Sequence, residues 1–209
     1  MQIIRHDRQG YPDSVAEQES LVAQVLCEEA KSTLILTEHP PLYTIGTSGR
    51  ESDVLSRQVD GESIAVYPSG RGGEVTYHGP GQLICYVIAD LRNDQDLHRH
   101  VHRLEEMAIR TLADFGIHAA RDPRGIGVWV EGKKIAAVGV RCRKWITFHG
   151  IALNINPNLR HFSGIVPCGM SDAPVTSMRA LGSNASRDEV EQSIRQHSAI
   201  FTNENSSYA

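Results

Sequence analysis

The 209-residue chain has only four cysteines, Cys27, Cys85, Cys142 and Cys168, and no two of them are close in sequence. That spacing excludes a CxxC redox or metal motif and suits a reducing compartment. Surplus charge is equally scarce: 21 lysines and arginines stand against 25 aspartates and glutamates, a formal net charge of -4. A general nucleic-acid binder would show a broad basic excess, so any basic surface is local and no nucleic-acid partner is expected. No apolar run is long enough to cross a bilayer, and the opening "MQIIRHDRQGYPD" lacks the apolar core of a signal peptide. A cytoplasmic protein with no membrane partner is the expectation. Repeats, linkers and low-complexity blocks are also missing. With 40% hydrophobic residues, the chain can bury a sizeable core, and the simplest organisation is one domain over 1–209 with a loose tail at about 203–209.

What is present reads as strands in runs between well-separated helices, an α+β pattern rather than a regular βαβ alternation. "DSVAEQESLVAQVLCEEA" offers Ser14 as a cap with Glu17 three residues on, then apolar residues at helical spacing. "STLILTEH" is a buried strand stopped by Pro40 and Pro41, and a short strand follows from Leu42 to Ile45. "QLICYVIADL" is continuous and apolar, which places it across the centre of a sheet. Leu97, Val101, Leu104, Ala108, Leu112 and Phe115 line one helical face ending at Gly116. "GVWVEGKKIAAVGVRCR" reads as a hairpin joined through Glu131 and Gly132, and "FHGIALNIN" as a further strand. Ser186 with Glu189 opens a last helix.

Two stretches carry chemistry. "RGGEVTYHGPGQ" spends four of its twelve residues on glycine yet carries Arg71, Tyr77 and His78. It fits neither GxxxxGK[ST] nor GxGxxG, so it is a ligand-contacting loop or a tight hairpin rather than a nucleotide cradle. In "GIVPCGMSD", Cys168 sits between Pro167 and Gly169 on a bend that leaves its sulfur approachable. Cys27 and Cys85 lie within apolar periodic segments and read as packing. A nucleophilic cysteine needs a group that promotes the thiolate. His78, His149, Lys133 and Lys134 are the candidates, and sequence separation does not choose among them.

The blocks "LTEHPPLYTIG", "RGGEVTYHGPGQLICYVIADL", "GKKIAAVGVR", "FHGIALNIN" and "VPCGMSDAPVTSM" resemble, in order, the signature blocks of the lipoyl(octanoyl) transferases. The resemblance runs from about the first helix to Leu181. It implies the fold shared with the biotin and lipoate protein ligases, a mixed β-sheet packed against helices. It implies an acyltransferase that moves an octanoyl group from acyl carrier protein to a lysine of lipoyl domains, those of 2-oxoacid dehydrogenase E2 subunits and of the glycine cleavage H protein. No cofactor and no metal are implied. Cys168 would carry the acyl group as a thioester, with Lys134 as its proton-transfer partner. One wall of the acyl site would run through Arg71, Gly72, Gly73 and Glu74, and on through Val75, Thr76, Tyr77 and His78. Ala137, Val138 and Gly139 would form a second wall, and Gly150, Ile151 and Ala152 a third. His149 and His78 are read as hydrogen-bonding supports of these loops ahead of direct bases.

Two rival classes stay open: an ATP-dependent lipoate or biotin ligase on the same fold, and a non-enzymatic metal or interaction protein suggested by "HRHVH". Only His98 and His102 of that run share a helical face, and His98, His100 and His102 read as solvated surface. The basic residues Lys133, Arg141, Arg143 and Lys144 cluster in one segment. If the strand continues through them, Arg141 and Arg143 share a face that can steer an acidic carrier.

Overall fold

The computed structural model describes residues 1–166 and 174–201. A seven-stranded mixed sheet forms the body. In spatial order its strands are β1 (Gln2–Arg5), β2 (Thr33–Thr37), β8 (Gln82–Asp90), β12 (Ile146–Asn154), β11 (Lys133–Arg143), β10 (Gly125–Val130) and β9 (Ala120–Asp122). Only the β1–β2 pair is parallel. The apolar run that forms β8 is buried along nearly its whole length because sheet neighbours flank it and helices cover both its faces. Its alternation splits the core. Ile84, Tyr86 and Ile88 pack with Leu21, Val22 and Val25 of α1 (Tyr11–Leu26), while Leu83, Cys85 and Val87 pack with Leu104, Ala108 and Leu112 of α2 (Leu97–Asp114). α3 (Arg187–His197) joins the α2 side through Val190 and Ile194.

A second, three-stranded sheet sets β3 (Leu42–Ile45) between β6 (Ala65–Pro68) and β7 (Val75–His78), and β4 (Gln58–Val59) pairs with β5 (Glu62–Ser63) beside it. Tyr43 and Tyr77 are buried together in its core, and the Tyr77 hydroxyl lies 2.9 Å from His161 Nδ1.

Local signals explain most element ends. Glu131 (φ 46) and Gly132 (φ 76) make the left-handed turn that closes the β10–β11 hairpin. Asp96 caps α2 by accepting from Arg99 N, and Ser186 and Glu189 form a reciprocal capping box on α3. The Ser14 cap is corrected. α1 begins at Tyr11 with Gly10 as its cap and Pro12 in the first turn, so Ser14 is buried inside the helix and Glu17 turns to His6 and Gln9. Cys27 is corrected as well: it is exposed at the C-terminal cap of α1 rather than packed. His100 is corrected from solvated surface to core, buried against Phe201, while His98 and His102 are exposed. No helix among the described residues is long and apolar enough to cross a membrane. The proposed tail at 203–209 lies outside the described residues.

Candidate active site

The cross-strand register of β11 and β12 puts Ala137 opposite Ala152 and Gly139 opposite Gly150. Cross-strand partners share a face, so this part of the sheet is nearly bare of side chains. The bareness is required. A Cβ on Gly150 would sit 2.2 Å from Cys85 O, and one on Gly139 would sit 2.9 Å from Gly72 O. Backbone therefore lies against backbone where the glycine-rich loop crosses β11, and Gly72 N donates to Val140 O at 2.8 Å.

Above this floor lies a cavity of about 490 Å³, within the ~300–1,000 Å³ range of small-ligand sites. Its walls include Arg71 to Thr76, His78, Ala137 to Val140 and His149 to Ala152. The structure thus gathers all three stretches that the sequence resemblance separates. Tyr77 is the exception. The strand period of β7 turns it away from the cavity into the core of the small sheet, where it holds His161.

Arg71 shapes the loop rather than presenting a free charge. Its guanidinium donates to Thr44 O (2.8 Å), Glu74 O (2.7 Å) and Gly72 O (3.0 Å), and to Thr44 Oγ1. From Thr44 a chain of hydrogen bonds crosses the molecule. Because Thr44 Oγ1 accepts from Arg71, its hydroxyl proton goes to His78 Nε2, 3.3 Å away. His78 Nδ1 then donates to Gln82 Oε1 at 2.8 Å, Gln82 Nε2 to Asn154 Oδ1 at 2.9 Å, and Asn154 Nδ2 to Thr176 O at 2.9 Å. A parallel device holds His39: its Nδ1 donates to Gln9 O, so its Nε2 accepts from the Tyr86 hydroxyl, each at 2.8 Å.

Burial, followed by the charges of neighbouring His39 and Arg71, depresses His78 well below the ordinary histidine range. Burial first, then Arg71 and Arg141, pushes His149 down to about 3, and burial lowers His39. All three are neutral at neutral pH. His149 has a left-handed backbone (φ 61), a conformation rare for a non-glycine residue. Its N–H donates to Gln18 Oε1 of α1 at 2.8 Å, and its ring stacks on Phe148 and meets Tyr86 edge-on. The kink brings an imidazole onto the face that α1 covers.

Lys134 lines the cavity and is buried, while Lys133, one place earlier on the strand, is exposed. The Lys134 ammonium donates to Ile126 O at 3.1 Å and stands 4.7 Å from the centre of the Trp129 ring. A Cβ on Gly127 would meet Ala136 O at 2.6 Å and the Lys134 stem at 3.3 Å, so that glycine makes room for the lysine. Glu105 of α2 accepts from Gly127 N at 2.9 Å and anchors this end of β10. The backbone of Lys134 also bonds Pro174 O and Thr176 N, which fixes the chain where it re-enters the described residues. Cys168, the candidate nucleophile, lies outside the described residues. Cys85 is buried, which pushes its thiol up, and Cys142 is raised for the same reason. Among the described residues, no group of three or more His, Cys, Asp or Glu side chains stands as a metal site.

Sequence reasoning missed several lining residues. Tyr11, Leu97, His98, Val101 and Ile126 reach the cavity from elements distant in sequence. The buried partners Gln82 and Asn154 read as ordinary strand residues, although an amide inside an apolar strand is itself a signal that a partner exists.

The sheet, its helices and this cavity define the fold of the lipoate and biotin ligases. A lipoate protein ligase from Thermoplasma acidophilum has a TM-score of 0.67 at 18% identity, covering 95% of this chain and 84% of that one. The biotin protein ligase of Aquifex aeolicus has a TM-score of 0.57 at 14% identity, covering 97% and 69%. The family model for the lipoyl protein ligase A/B catalytic domain matches residues 10–199. The octanoyltransferase of Rhodospirillum rubrum is 47% identical over 199 residues, 92% of this chain and 90% of that protein. That of Rhizorhabdus wittichii is 44% identical over 192 residues, 90% and 84%. The chain belongs to the lipoyl protein ligase A/B catalytic-domain family.

Proposed function

We propose that this protein is an octanoyltransferase of lipoate biosynthesis, a single catalytic domain in the cytoplasm. It takes an octanoyl group from acyl carrier protein onto Cys168 and passes it to the lysine ε-amine of lipoyl domains, including those of 2-oxoacid dehydrogenase E2 subunits and the glycine cleavage H protein. The observation that carries this reading is a cavity with a bare floor, two neutral histidines, His78 and His149, and one buried lysine in a chain 47% identical to an octanoyltransferase over nearly its whole length.

The Ile126 carbonyl and the Trp129 face hold Lys134 as an ammonium, a suitable partner for a Cys168 thiolate. The thiolate attacks the thioester carbonyl, the tetrahedral adduct collapses, and the carrier thiolate leaves with a proton from Lys134. Neutral Lys134 then accepts a proton from the incoming ε-amine as that nitrogen attacks the Cys168 thioester. The amide forms, the Cys168 thiolate departs, and the thiolate and ammonium pair is restored. A thioester is already activated, so no nucleotide is consumed.

Intact mass spectrometry of the protein mixed with octanoyl carrier protein, without nucleotide, tests this. A mass gain of one octanoyl group, mapped to Cys168 and discharged by a lipoyl domain, is expected. Modification only when ATP and free octanoate are supplied would instead identify a ligase. An octanoyl group mapped to another residue would remove the Cys168 intermediate.

A further inference from the structure

The cavity touches both faces of the main sheet. Tyr11 belongs to α1, and Ile84 and Tyr86 to the core that α1 covers; Leu97 and Val101 belong to α2, and Val138 packs with the α2 side. A cavity can reach both faces only around an edge, and β11 supplies one. Among the described residues its pairing with β10 ends at Val128 and Ala136, and the glycine-rich loop next touches it at Val140, whose carbonyl accepts from Gly72 N. Val138 lies between these contacts. The Val140 carbonyl points away from β12, and an antiparallel ladder alternates, so the N–H and C=O of Val138 also point outward onto the open edge.

The two lobes differ in closure. On the α1 side Tyr86, His149 and His78 are no more than 6% exposed, which makes a blind end. On the α2 side Ile126 is 58% exposed and His98 is exposed, which leaves that lobe open to solvent. An acyl tail ends its molecule and fits a blind lobe. The arm that joins the thioester to its carrier must leave through an open one. Lys134, held by the Ile126 carbonyl, lines the cavity beside the open lobe.

Building on the proposed transfer reaction, we infer that the open lobe binds the pantetheine arm of the thioester donor. The arm is an extended chain carrying amide groups. One of these pairs with the exposed N–H and C=O of Val138 in the manner of an added strand, while the methylenes lie against Leu97, Val101 and Ile126. The site reads the arm itself, before any contact with the carrier protein.

The test compares acylation of the full-length protein by octanoyl-pantetheine and by octanoyl-2-mercaptoethanol, thioesters with a similar leaving group and different arms. The expected kcat/KM ratio is about tenfold in favour of pantetheine, the size of two net hydrogen bonds. Val101→Trp fills the open lobe from a helix surface, and Val138→Pro removes the outward N–H without taking a bond from the β11–β12 ladder. Both should bring the ratio towards one, whereas general damage to the fold would lower both rates and leave the ratio standing. Equal kcat/KM for the two thioesters in the unmodified protein, or a tenfold ratio surviving in both variants, overturns the arm site while the transferase reading stands. Acylation by octanoyl carrier protein but by neither small thioester overturns the arm site alone, and acylation by none of the three donors overturns both.

Discussion

Arg71 and the trio Arg141, Arg143 and Lys144 stand on either side of one strand edge, where the Gly72 N–H meets the Val140 carbonyl. They use positive charge in opposite ways. Arg71 is 9% exposed and spends its donors on the carbonyls of Thr44, Gly72 and Glu74. The trio is exposed, and among the described residues none of the three has a carboxylate within ion-pair distance. Arg141 lies over the Phe148 ring, and Arg143 and Lys144 project at the hairpin tip. A guanidinium surrounded by backbone carbonyls is a structural part, and its charge is largely spent on shaping the loop. A cation at an exposed tip retains its long-range field and can act on a partner before contact. Lys134 belongs to neither group, being a buried cation that the proposed chemistry must discharge and recharge.

That third role gives the largest expected effect. Lys134→Arg keeps the charge and the reach towards Ile126 O but cannot give up a proton, and it should lower octanoyl transfer on the order of 10³-fold. Lys133→Ala, at an exposed site, should change turnover less than twofold. Steady-state transfer assays on both variants check the pair, and retained turnover in Lys134→Arg would leave Lys134 as a binding charge only. The next effect falls on stability. Arg71→Met leaves the Thr44, Gly72 and Glu74 carbonyls without these donors and should destabilise the protein by about 3 kcal/mol in denaturant unfolding. A loss below about 1 kcal/mol would show that the loop is held by its backbone alone.

The sequence makes some of this contrast visible. Period-two burial separates Lys133 from Lys134, and the glycine cluster marks where backbone must approach backbone. The long apolar runs locate β2, β8 and β12 because buried central strands leave little else for their residues to be. Short edge strands such as β1 escape detection: only one side of such a strand is paired and its side chains are largely exposed, so it has no apolar pattern. The role of Arg71 is hidden for another reason. Its acceptors include Thr44, 27 residues away, and a carbonyl carries no side-chain signature. The Thr44, His78, Gln82, Asn154 and Thr176 chain is equally long-range. The tool that does reach such groups is the cost of burial: a polar residue in an apolar strand implies a partner without naming it.

The buried histidines extend the same logic to pH. His149 is depressed to about 3 and His100 to about 4, by burial in each case, and His39 and His78 are lowered too. A histidine lowered on folding is neutral in the native state and takes a proton more readily when unfolded. Its contribution is fully present above the unfolded value near 6.5 and is lost as pH falls towards the folded value. Between pH 6.5 and 4, stability should fall by up to about 1.4 kcal/mol per pH unit for His100 and for His149. His100→Leu removes one that does not line the cavity and packs against Phe201, so the acid slope should drop by about one proton while octanoyl transfer at pH 7.5 is retained. An unchanged slope in urea unfolding between pH 6.5 and 4.5 would mean that His100 is not neutral in the folded protein.

The smallest effect tests the exposed side of the opening contrast. The net charge of the chain is -4, so the proposed encounter with an acidic carrier would be opposed overall and would rely on a local field. Arg143 and Lys144 supply one at the tip of a hairpin whose strand β11 also carries Lys134 and the open edge at Val138. Neither is among the residues that line the cavity, and that separates steering from chemistry. Arg143→Glu with Lys144→Glu should raise the apparent KM for octanoyl carrier protein about three- to tenfold at low salt and flatten its dependence on ionic strength, since the field screened by salt is the one removed. The kcat/KM for octanoyl-pantetheine, which has no acidic protein attached, should hardly move. Loss with both donors would mean that the substitutions distort the β11–β12 hairpin and hence the cavity floor. No change with either would place carrier docking on another surface and leave the hairpin tip as a solvated strand end.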